Sequence, residues 1–403
     1  MANDLILNSL LIQGFRGIRE LRIGRLGRVN LIVGKNNVGK STVLEALRLY
    51  AHPGWPADII EILIDRSEIP PSSNEVASWR NDALFTFKID SLFHGRETNS
   101  ASDRHITIGP VGELSRSYRI ALEKTVRPIR VEAVDYQESK SPLPVSRQNS
   151  DEGQYYLFET KIALRFGGVS SLFPVERRQG GPYDKAPAGT VATERLENFS
   201  IHGDFPIRPL HVVPPNGLEP YSVGVLWDKL SLSPAEEDVL LALRIISADV
   251  ERVALKESEG HLESRQVGSA LQTRIPYVKI KSQPNPIPMR VLGDGLNRIF
   301  GLILSLVNAK DGFLLVDEIE NGIHYSVQAD LWRLIFQTAA KLNVQVFATT
   351  HSFDCIRAFE EAARESEEEG VVVRLAKKGG ETLVAEFDED ELSIAVDSRI
   401  EIR

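Results

Sequence analysis

The octapeptide Gly34-Lys35-Asn36-Asn37-Val38-Gly39-Lys40-Ser41 constrains this chain more than any other stretch. An apolar run, Val29 to Val33, precedes it and reads as a buried strand. Thr42-Val43-Leu44-Glu45-Ala46-Leu47 follows with helical spacing. A glycine-rich turn between strand and helix, ending in Lys-Ser, is a phosphate-binding P-loop in the context the motif demands. Glycines let backbone N–H groups close around an anion with no Cβ in the way, and the helix N-terminus adds a partial positive charge. The spacing assigns Lys40 to the β- and γ-phosphates of ATP and the Ser41 hydroxyl to Mg2+, with Gly34 to Thr42 as the cradle.

Such a loop needs a partner carboxylate, and Phe313-Leu314-Leu315-Val316-Asp317-Glu318 supplies one. Four apolar residues form a strand, and Asp317 at its tip can hold Mg2+ through water. Glu318, one residue on, is placed to orient or deprotonate the attacking water. A carboxylate pair at a strand end is often only a helix cap, but here an apolar strand and an upstream P-loop favour the site. His351 closes the next apolar strand, Val346 to Thr350. Strand tips of an open parallel sheet face the ligand crevice, so this histidine can reach the γ-phosphate.

Strands and helices alternate in the C-terminal third, which predicts a parallel sheet that the P-loop strand joins. The expected fold class is α/β: a P-loop core with a mixed or parallel sheet, an antiparallel β lobe and a helical subdomain. The first two strands, Leu5 to Ile12 and Leu21 to Ile23, read as a hairpin. Residues 1–51 hold the first half of the core, 52–210 an inserted β-rich lobe, and 211–403 the helical subdomain and the second half. Within the lobe, Pro53, Pro56, Pro70 and Pro71 read as helix breakers. Leu84 to Ile89, Ser117 to Leu122, Ile129 to Val134 and Tyr155 to Phe166 read as strands, and Gly167 to Gly189 as a long exposed loop. No heptads persist, so no long coiled coil is expected. Ser233-Pro234-Ala235-Glu236-Glu237 opens a helix with Ser233 as N-cap. Val371 to Phe387 is a hairpin turning at Gly379-Gly380, and a short acidic helix from Glu389 follows it.

Composition narrows the function. No run of about 18 apolar residues suggests a membrane span, and the first residues lack a signal-peptide pattern, so a cytoplasmic location is expected. One cysteine, Cys355, excludes an internal disulfide and a multi-cysteine metal site. The net charge of −9 argues against a surface that grips DNA throughout.

P-loop, Gly293-Asp294-Gly295 before a helix, Asp317-Glu318 after an apolar strand, and His351 after the next strand occur in this order. That order resembles the ATP-binding-cassette fold of the SMC, RecF and OLD ATPases. Asp317-Glu318-Ile319-Glu320-Asn321-Gly322-Ile323-His324 resembles the OLD-like branch, as do Ile12-Gln13-Gly14-Phe15-Arg16-Gly17-Ile18 and the closing Glu401-Ile402-Arg403. The resemblance spans about residues 1–50 and 210–403. It implies a head-to-tail dimer in which each ATP sits between one P-loop and the partner copy's signature loop, here Gly293-Asp294-Gly295. The wider family carries a serine where Gly293 stands, so the contact would fall to backbone N–H groups, with Asp294 turned inward as an N-cap. It further implies that Arg16 approaches the phosphates, that Asn321 lies across the dimer axis, and that a glutamine serves the Q-loop, with Gln137, Gln148 and Gln154 all open.

OLD nucleases carry a Toprim domain after the ATPase core. Only 403 − 351 = 52 residues follow His351, too few for one, and the Asp388-Glu389-Asp390-Glu391 cluster reads as a solvated tail. The expectation is an ATPase sensor or scaffold controlling a separate effector, a nuclease or toxin, like the stand-alone OLD-like ATPases of anti-phage systems such as PARIS. A RecF-like DNA-repair ATPase and a nucleotide-dependent assembly module remain as alternatives.

Overall fold

The computed structural model describes residues 5–68, 89–95, 105–129, 155–180, 205–257, 274–388 and 391–394. Strands β1 (Leu10–Phe15) and β2 (Ile18–Ile23) form a tight hairpin turning at Arg16 and Gly17. The expected hairpin is there with shifted bounds: Leu5 to Ser9 precede β1, which runs on to Phe15, and β2 already starts at Ile18. β3 (Val29–Val33) leads into the P-loop and helix α1 (Lys40–Ala51).

Helix α2 (Pro56–Asp65) was not expected. Pro56 sits at its first position, where a missing N–H costs nothing, so the proline starts a helix instead of breaking one. β4 (His105–Gly109), β5 (Tyr118–Ile129), β6 (Tyr155–Phe166) and β7 (Val169–Gly180) follow. β7 corrects the predicted loop after Gly167. The glycine pair there turns a hairpin, and the Pro- and Arg-containing run beyond it pairs with β6 along its length, with one register shift between Thr160 and Lys161. Of the predicted strand at Leu84 to Ile89, the described end, Ile89, opens a short 3-10 turn; the rest, and most of Ile129 to Val134, lies outside the described residues.

The second half adds β8 (Leu210–Val213), α3 (Pro220–Leu230), α4 (Ala235–Ile246), β9 (Val250–Glu257), β10 (Arg274–Ile280), β11 (Ile287–Pro288) and α5 (Asp294–Asn308). Helix α4 starts where predicted, yet the Ser233 hydroxyl donates to the Leu230 carbonyl at 2.6 Å and does not cap. β12 (Phe313–Val316), α6 (Gln328–Leu342), β13 (Gln345–Thr350), α7 (Phe353–Arg364), β14 (Gly370–Lys378) and β15 (Glu381–Phe387) complete the set.

Among the described residues three sheets result. The central one has the order β15-β14-β3-β13-β12-β8, with β14, β3, β13, β12 and β8 parallel and β15 antiparallel at one edge. Both faces of β3, β12 and β13 are covered, so these three strands are buried along their whole length, while the edge strand β15 is partly exposed. Leu31, Leu314, Val316, Val346 and Ala348 face a core shared with α5, α6 and α7. Ile32, Phe313, Leu315 and Phe347 face a second core shared with α1 and the N-terminal hairpin. The second sheet, β2-β1-β4-β5-β6-β7, is antiparallel. Because β1 pairs with both β2 and β4, this sheet runs across the boundary drawn at residue 51. The third, β11-β10-β9, packs beside α3 and α4. Among the described residues the longest helices have 15 residues, and none is long and apolar enough to cross a membrane.

In the parallel sheet Val33 aligns with Thr350, and Ala348 aligns with Val316. The residues that follow these strands, Gly34, His351 and Asp317, therefore gather along one edge.

Candidate functional site

The P-loop leaves β3 through Gly34, whose φ is +148°. A Cβ there would lie 2.4 Å from the Leu375 carbonyl oxygen and 3.0 Å from Val38 Cγ2, so only glycine lets the loop fold back over the sheet. Asn37 and Gly39 also have positive φ, at 65° and 113°. Lys35, Asn36 and Asn37 stay exposed, and Val38 is buried as the loop's apolar anchor. Lys40 is buried, and its ammonium donates to the carbonyls of Gly34 at 2.7 Å and Lys35 at 3.2 Å. Burial lowers the Lys40 pKa, against the pull of Asp317, Glu318 and Glu320.

Across the sheet edge, the Ser41 hydroxyl donates to Asp317 Oδ2 at 2.8 Å, joining residues 276 positions apart. The other Asp317 oxygen accepts from the Thr349 hydroxyl. Thr349 Oγ1 in turn accepts the Glu318 backbone N–H at 2.9 Å. Thr349 thus fixes both carboxylate residues from the neighbouring strand. Sequence reasoning missed it; the only signal was its place one residue before the strand's last position.

Glu318 has φ of +47°, a left-handed backbone in a non-glycine residue. Its carboxylate accepts from Asn321 Nδ2 at 2.7 Å. Asn321, expected across a dimer axis, is thus tied to Glu318 of its own chain. His351 lies beside this group but is not bonded to Glu318, from which its Nδ1 stands 3.9 Å away. Its partner is Glu320, which takes the His351 backbone N–H at 3.1 Å and faces Nδ1 at 3.2 Å. Glu320 is a further residue the sequence did not single out.

Gly293 and Asp294 are exposed and Gly295 is partly so. The expected Asp294 N-cap is corrected: Gly293 occupies the cap position with φ of +104° and no side-chain cap, and Asp294 is already the first helical residue. Its carboxylate is one residue too late to receive the N-terminal amides. Arg16 sits in a buried ion-pair cluster, 2.8 Å from Glu45 and 2.9 Å from Glu68, and donates to the Ile62 carbonyl at 3.3 Å. Burial raises the Glu45 pKa, and the nearby Arg16 and Arg66 oppose that shift. Gln137, Gln148 and Gln154 lie outside the described residues.

The residues present fit a nucleotide and a divalent cation. The loop is one a Cβ would fill, a buried lysine stands at its mouth, and a hydroxyl and a carboxylate meet beside it. Residues 6–131 match an AAA ATPase domain model, and residues 230–354 match an AAA domain model whose description names the AbiEii toxin and a type IV TA system. The chain carries AAA-type ATPase domains. This AAA-type ATPase is 20% identical over 372 residues, 90% of each chain, to the ATP/GTP phosphatase of Helicobacter pylori. It is 30% identical over 99 residues to the uncharacterized protein MJECL11 of Methanocaldococcus jannaschii, 24% of this chain and 84% of that one, and belongs to one family with it. Among solved structures, the AAA-type ATPase is similar to an Smc head domain with an extended coiled coil bound to the C-terminal domain of ScpA, from Pyrococcus furiosus. That match has a TM-score of 0.43 and 10% identity over 98% of this chain and 99% of the other.

Proposed function

We propose that the chain binds ATP with Mg2+ and hydrolyses it, with Gly34 to Thr42 as the cradle, Ser41 and Asp317 toward the metal, and Glu318 acting on the attacking water. The observation that carries this reading is the 2.8 Å bond between Ser41 and Asp317, which brings the two metal-binding residue types together from opposite ends of the chain. Mg2+ supplies neutralisation of phosphate charge when bound. The chain's own part is position. Lys40 brings a buried positive charge to the loop, Thr349 orients Asp317, and Asn321 holds the Glu318 carboxylate. The name of the Helicobacter pylori relative supports hydrolysis of a nucleoside triphosphate and adds GTP as a substrate to test.

In this reading two copies close head to tail, the Gly293-Asp294-Gly295 loop of one over the P-loop of the other. Supporting it, an exposed apolar side chain borders that loop: Val291, two residues before Gly293, is 68% exposed. The chain then acts as a sensor or scaffold that controls a separate effector, a nuclease or toxin, in anti-phage defence; the family description naming a toxin system supports that setting. A second reading, DNA binding as in RecF, draws on the small sheet. There Arg252 pairs in register with Lys279, and Lys256 Nζ lies 4.8 Å from the Tyr277 ring centroid. Weak, salt-independent DNA retention by the purified chain removes that reading.

Steady-state ATP turnover by purified wild-type chain and Lys40→Ala tests the main proposal. Turnover should be lost in the variant; unchanged activity sinks the assignment.

A further inference from the structure

Helix α5 is buried along almost its whole length, and Arg298 is the one charged residue in that buried stretch, only 7% exposed. No carboxylate of the described residues forms an ion pair with it. Its guanidinium donates instead to three backbone carbonyls: Pro214 after β8, Asp317 at 3.1 Å and Glu318 at 3.3 Å. Burial lowers its pKa, with Glu320 the strongest opposing charge. Arg298 Nε and Glu320 Oε2 are both buried and without a hydrogen bond. A charge kept inside a protein at this cost, on oxygens that a neutral residue or water could serve, calls for a reason.

That reason lies at Glu318. Its left-handed backbone at φ +47° is a conformation a glutamate holds only when its surroundings impose it. Thr349 takes its N–H and Arg298 binds its carbonyl, so the peptide units on either side are pinned from two elements. The planar guanidinium holds its N–H groups in a fixed fork that meets three carbonyls from two elements, whereas a lysine ammonium is a compact donor on a flexible stem. Arg298 also stands one turn beyond Gly293-Asp294-Gly295. The start of the same helix is seated on the loop after β12, since a Cβ on Gly295 would lie 2.9 Å from the Gly322 carbonyl oxygen. A shift of α5 therefore moves both the exposed glycine loop and the clamp on Glu318.

We propose that Arg298 is a positioning residue: it holds Glu318 in its left-handed conformation and makes that geometry depend on the position of the helix that carries the Gly293-Asp294-Gly295 loop. This rests on the reading of Glu318 as the group that acts on water. Arg298 does not touch the nucleotide; its effect is on where the carboxylate stands. Misplacement of a reacting group by about 1 Å costs on the order of 100-fold in rate.

The test uses the full chain and four proteins: wild type, Arg298→Lys, Glu318→Gln and the double variant, each followed by ATP turnover, fluorescent-nucleotide binding and thermal melting. Arg298→Lys should melt cooperatively, keep nucleotide affinity and KM within about 3-fold, and lose about 100-fold in kcat. The double variant should be no slower than Glu318→Gln, because the two residues act as one unit. Arg298→Gln, which keeps an N–H donor without the charge, is scored if the lysine variant does not fold. Wild-type kcat in the folded Arg298 variant beside a slow Glu318→Gln overturns the proposal, as do losses that multiply in the double variant. Failure of both Arg298 variants to fold makes the residue a structural tie and also overturns it. Glu318→Gln at the wild-type rate instead removes the base itself, and the underlying reading with it.

Discussion

Thr349 shows how much one hydroxyl arranges here. It donates to Asp317 and accepts from the Glu318 amide, so a single β-strand residue sets the orientation of one carboxylate and the backbone of the next. Thr349→Val keeps the shape and removes both bonds. It should leave a buried N–H without an acceptor and cost about 1–3 kcal/mol of stability in urea denaturation. Thr349→Ser should recover most of that loss and most of the ATP turnover. Equal behaviour of Val and Ser variants would show that the hydroxyl orients nothing. A residue of this kind is invisible to pattern reading. Val346 to Thr350 announces a strand, but nothing in it tells which residue will face Asp317 from the adjoining strand.

At the scale of elements, the cluster around Arg16 ties three pieces together: the β1–β2 turn, the P-loop helix through Glu45, and the end of α2 through Glu68. Ser91 joins it at 2.8 Å from Glu68. Arg16→Ala leaves Glu45 with Arg66 alone and removes the Arg16 ion pair of Glu68, and breaking a buried pair costs about 3–5 kcal/mol. The expected outcome is a marked fall in melting temperature with nucleotide affinity nearly intact. A large affinity loss without destabilisation would restore the phosphate contact that the family resemblance implies. The elements that carry the site were legible. β3, β12 and β13 are short, largely apolar runs, both faces of each are buried, and the P-loop, the acidic pair and His351 at their respective ends give each a direction. α2 and β7 were not, because proline and glycine were read as punctuation when one starts a helix and the other turns a hairpin. Arg298 and Glu320 escaped for another reason. Their roles are set by long-range hydrogen bonds between a helix and a loop, which local spacing does not encode.

For the whole molecule, the proposed closure of two copies gives a direct expectation. Glu318→Gln keeps the side-chain shape and removes the base, so ATP should bind and persist while turnover falls by about 10²–10⁴-fold. With ATP and Mg2+ its mass by light scattering should double relative to the nucleotide-free protein, and Lys40→Ala should stay at the smaller mass. A Glu318→Gln variant whose mass ignores ATP removes the head-to-tail dimer from the proposal.

The P-loop strand β3 ends at Val33, yet its two neighbours, β13 and β14, begin at Gln345 and Gly370. A growing chain therefore exposes this apolar strand from the ribosome long before anything exists to flank it. At about 5–20 residues per second, the wait is on the order of 15–60 s. Through that interval Val29 to Val33 is a sticky segment with both edges unpaired, a client for whatever holds nascent chains apart. In the proposed reading nucleotide cannot be gripped until β12 and β13 have been made, so a product truncated before them would be inert toward ATP.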